Sequence, residues 1–137
     1  MGSAKGKNIL VIGGGSGMGA STSLLLAEKG AKVVIAGRTE ATLSRVVQAA
    51  PKTMPVLAQT ADVSSRESLD RLFTWFDESV GKLDVLVNAA GINIPNRSFH
   101  QLSNEDWDQV LRTNLTGAFD VMRLALNRMR PRKDGLI

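Results

Sequence analysis

Residues 8–19 read Asn-Ile-Leu-Val-Ile-Gly-Gly-Gly-Ser-Gly-Met-Gly, and this stretch decides the fold. Four consecutive apolar residues, Ile9 to Ile12, suit a short strand buried on both faces, as in a parallel sheet. The run stops at a glycine cluster, and a helical pattern with Leu24, Leu25 and Leu26 follows over residues 17–29, closed by Gly30 as a C-terminal cap. A buried strand, a glycine-rich turn and a helix N-terminus together form a place for a phosphate or diphosphate. Glycines admit the anion without a Cβ in the way. The free amides and dipole of the helix start supply positive potential. The alternative is a turn that binds nothing, but five glycines within residues 13–19 carry a heavy backbone-entropy cost for such a turn. A Walker A loop would need Gly-Lys-Ser/Thr, and Gly19 is followed by Ala20 and Ser21.

The same alternation continues downstream. Apolar runs at residues 32–36 and 84–87, and a weaker one at 55–58, predict further strands. Residues 39–50 predict a helix that opens on a capping residue and ends before Pro51. Ser64-Ser65-Arg66-Glu67 has the form of a capping box, with Ser64 accepting from the Glu67 amide and Glu67 reaching back. The helix behind it carries Leu69, Leu72, Phe73, Phe76 and Val80 at core spacing. Residues 103–130 predict one long helix, started by Ser103 and ended by Pro131, whose apolar surface is wide enough to imply burial on more than one side. Residues 135–137 read as the start of another strand. Strands alternating with helices imply parallel pairing with right-handed crossovers. The expected fold class is therefore α/β: a Rossmann-type, doubly wound parallel sheet in three αβα layers, forming a single unit over residues 1–137 that breaks off at the start of a fifth strand.

Composition narrows the function classes. The sequence of 137 residues has no cysteine and one histidine, His100, which removes disulfides, thiolate zinc sites and histidine metal clusters. No apolar run is long enough to span a bilayer, and no signal-peptide core is present, so the cytoplasm is the default compartment. Lys and Arg number 17 against 13 acids, and Arg123, Arg128, Arg130, Arg132 and Lys133 crowd the end. Without interleaved aromatics this reads as a solvated helix end rather than a nucleic-acid patch. The sequence also contains no tyrosine.

The spacing Gly13-x-x-x-Gly17-x-Gly19 resembles the first turn of the short-chain dehydrogenase/reductase family, with Ile12 where that family usually has threonine. Asp62-Val63 after the third strand resembles the family's acid near the adenine amino group. Asn88-Ala89-Ala90-Gly91 resembles its Asn-Asn-Ala-Gly element, with Ala89 in place of the second asparagine. Asn114-Leu115-Thr116-Gly117 resembles the segment that holds its active-site asparagine. The resemblance implies cofactor contacts from Gly13, Gly15, Ser16, Gly17, Met18, Gly19, Arg38, Thr39, Asp62, Val63, Asn88, Ala89, Ala90 and Gly91, and a catalytic role for Asn114. Each has a plainer reading as well: Asp62 as a favourable charge before a helix, Asn88 as a turn former, Asn114 as a structural amide that needs a partner.

The end of the second strand reads Ala36-Gly37-Arg38-Thr39, with no acid to bond the ribose hydroxyls of NAD(H). Arg38 suits a 2′-phosphate instead, so NADP(H) is preferred and NAD(H) remains possible; an exposed strand-end arginine is the plainer reading. The resemblance implies hydride transfer between nicotinamide and a carbonyl or alcohol carbon of a small molecule. The family's serine, tyrosine and lysine would lie beyond residue 137, so the expectation is the cofactor half of a longer reductase, inactive alone. The alternatives are a non-catalytic dinucleotide sensor and a scaffold. The helix at residues 103–130 is expected to pair with its copy in a homo-oligomer. The loop at residues 92–101 is expected near the nicotinamide, with Asn93, Asn96, Arg97 and His100 either reaching substrate or serving as ordinary loop residues. No metal site is expected.

Overall fold

A computed structural model describes residues 4–137. Four parallel strands form one sheet: β1 (Asn8–Ile12), β2 (Lys32–Gly37), β3 (Leu57–Thr60) and β4 (Val85–Asn88), in the order β3-β2-β1-β4. Ile9 pairs with Val33 on one side and Val85 on the other, while Ile12 pairs with Ala36 and Asn88. Side chains alternate across a strand, so β1 feeds two cores at once. Ile9 and Val11 pack with Val33, Ile35, Ala27, Leu43 and Val46 under helices α1 (Gly17–Glu28) and α2 (Glu40–Ala49). Leu10 and Ile12 pack with Leu69, Phe73, Phe76, Leu86, Val121 and Ala125 under α3 (Arg66–Ser79) and α5 (Gly117–Met129). Two helical layers around a sheet buried on both faces make the expected αβα sandwich. The direction of winding reverses at β1, so a crevice opens at its C-terminal end between β1 and β4.

Several expected boundaries move. β3 begins at Leu57 rather than Pro55, because the ladder that pairs Val34–Gly37 with residues 57–60 sets its register and a proline has no N–H for a ladder. The N-cap of α3 is Ser65, not Ser64: the Ser65 hydroxyl accepts from the Ser68 amide at 3.2 Å. Ser64 turns the other way and donates its hydroxyl to Asp62 Oδ1 at 2.7 Å, while Glu67 pairs with Arg71 instead of reaching back. The long helix over residues 103–130 is continuous in direction but not uniform. It runs as α4 (Asn104–Leu111), a π turn (Arg112–Thr116) and α5, with the Ser103 hydroxyl capping the Asp106 amide as expected.

The wide apolar surface of this helix divides in two. Val121, Ala125 and Met129 are buried against the sheet, whereas Leu115, Phe119, Met122 and Leu126 stay exposed. Leu136 lies beside β4, donating its amide to the Asp84 carbonyl and accepting from the Leu86 amide, so these last residues pair with the strand's free side. The basic cluster is more than a solvated helix end. Arg128 forks onto Asp77 at 2.7–3.0 Å and covers the Phe73 ring at 4.9 Å, and Arg132 donates to the Leu83 and Arg128 carbonyls. Among the described residues no helix is long and apolar enough to cross a membrane.

Candidate functional site

A groove of about 340 Å³ lies at the C-terminal end of the sheet, over the turn that follows β1. The amides of Gly13 and Gly14 both donate to the Ala36 carbonyl, and the Ala89 amide donates to the Ile12 carbonyl, so the turn is pinned to both neighbouring strands. Glycine is required where the turn meets α1. A Cβ on Gly19 would sit 2.2 Å from the Gly13 carbonyl oxygen, which forbids any side chain. Gly17 has φ of +51°, and a Cβ there would meet nothing within 4 Å. The left-handed backbone is therefore satisfied by glycine, and the space in front of it is open. Ser16, the N-cap, makes no side-chain bond to the helix amides. The start of α1 thus offers amides and the positive end of its dipole to the groove, and the cradle fits a diphosphate.

The expected residues distribute as follows. Gly13, Gly15, Ser16, Gly17, Met18 and Gly19 line the groove from the turn, and Arg38 and Thr39 from the end of β2. Val63 lines it from the loop after β3, and Ala89, Ala90 and Gly91 from the loop after β4. Asp62 lines an adjoining groove that also contains Arg38. Asn88 lines neither; its Oδ1 accepts from the Ala90 amide at 3.3 Å and shapes the turn. Asn114 is also off the groove. Its Oδ1 accepts from the Ile92 amide at 2.8 Å and its Nδ2 donates to the Ile92 carbonyl at 2.9 Å, while Ile92 and Thr113 reach the groove wall. The amide partner that a polar residue on this helix requires is thus a backbone segment of the β4 loop. Of the segment 92–101 expected near the nicotinamide, Ile92 lines the groove, whereas Asn93, Asn96, Arg97 and His100 do not.

Thr42 and Thr113 line the groove without having stood out in the sequence. Thr42 sits in the first turn of α2, where its hydroxyl donates to the Thr39 carbonyl at 2.8 Å. A Cβ on Gly15 would come within 2.6 Å of that hydroxyl, so α2 is seated directly on the turn. A lone threonine inside a helix carries no sequence signal for such a contact.

The charges suit an anionic ligand with an amine at one end. Arg38 is exposed and makes no ion pair among the described residues. Burial pushes the Asp62 carboxyl up, but its bonds from Ser64 and the charges of Arg38 and Arg112 outweigh this and hold it below the ordinary aspartate value. Both Ser64 bonds fall on Oδ1, which leaves Oδ2 to accept from an amino group. No cluster of His, Cys, Asp or Glu that would hold a metal ion occurs among the described residues.

A glycine cradle at the switch point of a parallel αβα sheet, in a groove lined from the ends of all four strands, is the architecture of the Rossmann class. Comparison with known proteins sharpens this. The family model for short chain dehydrogenases matches residues 7–137, and the chain belongs to that family. It is 36% identical over 135 residues to an uncharacterized oxidoreductase of Listeria monocytogenes, covering 97% of this chain and 54% of the relative. It is 32% identical over 131 residues to an NADPH-dependent pterin aldehyde reductase of Arabidopsis thaliana, covering 96% and 54%. A solved structure of a variant actinorhodin polyketide ketoreductase with NADPH superposes with a TM-score of 0.90 at 30% identity, covering 99% of this chain and 53% of the other. The chain thus spans about half the length of the curated relatives it matches.

Proposed function

We propose that residues 1–137 form a single NADP(H)-binding unit serving an oxidoreductase, which moves hydride between the nicotinamide and a carbonyl or alcohol carbon of a small molecule. The observation that carries the cofactor choice is Arg38: a guanidinium just past the end of β2, on the groove lip, with no ion pair among the described residues and no acid among the described residues lining that groove to bond ribose hydroxyls. The fork geometry of arginine suits a phosphate monoester. Two of the similar proteins, the NADPH-dependent pterin aldehyde reductase and the polyketide ketoreductase solved with NADPH, support the same reading.

When bound, the nicotinamide supplies or accepts the hydride. This chain's own part is to hold and aim. The α1 amides and residues 13–19 take the diphosphate, Arg38 with Thr39 takes the ribose phosphate, and Asp62 with Val63 takes the adenine edge. Ala89 to Gly91 wall the groove towards the nicotinamide. Asn114 keeps that wall in place by clamping Ile92 on both its amide and its carbonyl. The sequence has no tyrosine, so a phenol proton donor is not available from these residues. The exposed face of Leu115, Phe119, Met122 and Leu126 is proposed to pack against a second copy of the chain.

Calorimetric titration with NADPH and NADH tests the reading. NADPH is expected to bind at least about tenfold more tightly, a difference of one good charge-assisted contact. Arg38→Asp is expected to reverse the order. Equal affinities in the unaltered chain, or an order that Arg38→Asp leaves untouched, would refute the choice of cofactor. Binding of neither cofactor would point to a scaffold.

A further inference from the structure

A second groove of about 400 Å³ continues outward from Arg38, between the edge strand β3 and the second turn of α3. Gln59, Thr60, Asp62 and Ser68 supply its polar wall, and it holds two guanidinium side chains, Arg38 and Arg71. Its one carboxylate, Asp62, is turned onto Ser64 through Oδ1. The charged lining is thus two cations against one occupied anion, which suits a dianionic ligand.

Arg71 is occupied only lightly. Its partner is Glu67, one helical turn back, and both side chains are well exposed, at 66% and 83%. An exposed pair of this kind contributes about 0–1 kcal/mol, so a doubly charged phosphate can displace it. The Ser68 hydroxyl accepts from the Asp62 amide at 3.0 Å and keeps a proton to donate inward.

We infer that Arg71 is a second specificity-determining residue of the adenosine end: it exchanges Glu67 for the ribose 2′-phosphate and closes on it from α3 while Arg38 holds it from β2. This rests on the NADP(H) reading above. It adds a contact from an element that the glycine turn and the end of β2 do not involve.

The test uses two fragments of the cofactor, adenosine 2′,5′-bisphosphate and adenosine 5′-monophosphate, titrated by calorimetry into the full chain and its variants. Arg71→Gln is expected to weaken the bisphosphate about tenfold and to leave the monophosphate unchanged, as for loss of one charged hydrogen-bonding partner. Arg71→Lys, which keeps the charge and loses the fork, is expected to fall between. Glu67→Gln is expected to tighten the bisphosphate alone by releasing Arg71. Equal weakening of both fragments by Arg71→Gln would place Arg71 against the purine and overturn the inference, as would no change in either. If Arg38→Gln lowers the preference for the bisphosphate while Arg71→Gln does not, the cofactor reading survives and this inference fails. If Arg38→Gln leaves that preference intact, the cofactor reading falls and takes the inference with it. Unchanged melting temperatures confirm that the exposed substitutions leave the fold in place.

Discussion

Replacing Asn114 with alanine severs the clamp on Ile92 at both its amide and its carbonyl. Two side-chain bonds, at 2.8 and 2.9 Å, join the π turn to the loop after β4. Each such bond contributes about 0.5–1.5 kcal/mol net of water. Asn114 is exposed, so water partly replaces what is lost, and the pair sums to about 1–2 kcal/mol. For a chain of this length that lowers the melting temperature by about 3–8 °C. Circular dichroism melting measures the loss, and hydrogen exchange locates it: the Ile92 amide should lose protection while the amides of β1 and β2 keep theirs. Asn114→Asp sharpens the test. A carboxylate still accepts from the Ile92 amide but confronts the Ile92 carbonyl with a second acceptor, so it should be at least as damaging at neutral pH. Below about pH 4 it should recover, as a protonated carboxyl donates. An unchanged melting temperature with unchanged Ile92 protection would refute the clamp.

Further outcomes follow from other parts of the structure. Gly19→Ala forces a methyl group against the Gly13 carbonyl and should cost about 1–3 kcal/mol by urea unfolding, with loss of cofactor binding; full stability would contradict the packed turn. Burial raises the Asp84 carboxyl, but the Lys82 ammonium at 2.8 Å and the Asn8 amide at 2.9 Å more than compensate and hold it below the ordinary value. A lowered folded-state value means a contribution present in full above about pH 4 and lost as pH falls through the folded value. The urea midpoint should therefore drop on acidification, and Asp84→Asn should flatten that drop; an equally steep drop in the variant would refute the assignment. Arg128→Ala removes both the fork to Asp77 and the cover over Phe73 and should cost about 1–2 kcal/mol, with a double-mutant cycle against Asp77→Ala giving a coupling of about 1 kcal/mol. Phe119→Glu with Leu126→Glu should shift a self-associating chain to monomer in light scattering; a monomer before substitution would contradict the proposed pairing.

The parts legible in the sequence were those fixed by local chemistry. The run Ile9 to Ile12 and the glycines behind it specify a buried strand and an open turn with no reference to the rest of the chain. The Ser103 cap and the core spacing of Leu69, Leu72, Phe73 and Phe76 are equally local. What the sequence did not disclose depends on partners distant along the chain. The register of β3 is chosen by Val34–Gly37, across the sheet. Ser64 and Ser65 are chemically alike, and only the Asp62 carboxylate decides which of them caps α3. The π turn has no composition of its own; it lies where Gly117 packs against Val63 and Asn114 reaches Ile92. At the site, the glycines and Arg38 could be named from type and position, and Asp62 from the family resemblance. Thr42 could not, because its contact with Gly15 exists only once α2 is docked.

The central claim is that the amides at the start of α1 and the guanidinium of Arg38 grip one and the same NADPH molecule. Amide shift mapping by NMR tests it directly. Addition of NADPH should move the amides of Ser16 to Gly19, Arg38, Thr39 and Val63 most, with NADH moving the first group and sparing Arg38. Shifts confined elsewhere, or a glycine turn that stays still under saturating NADPH, would contradict the account.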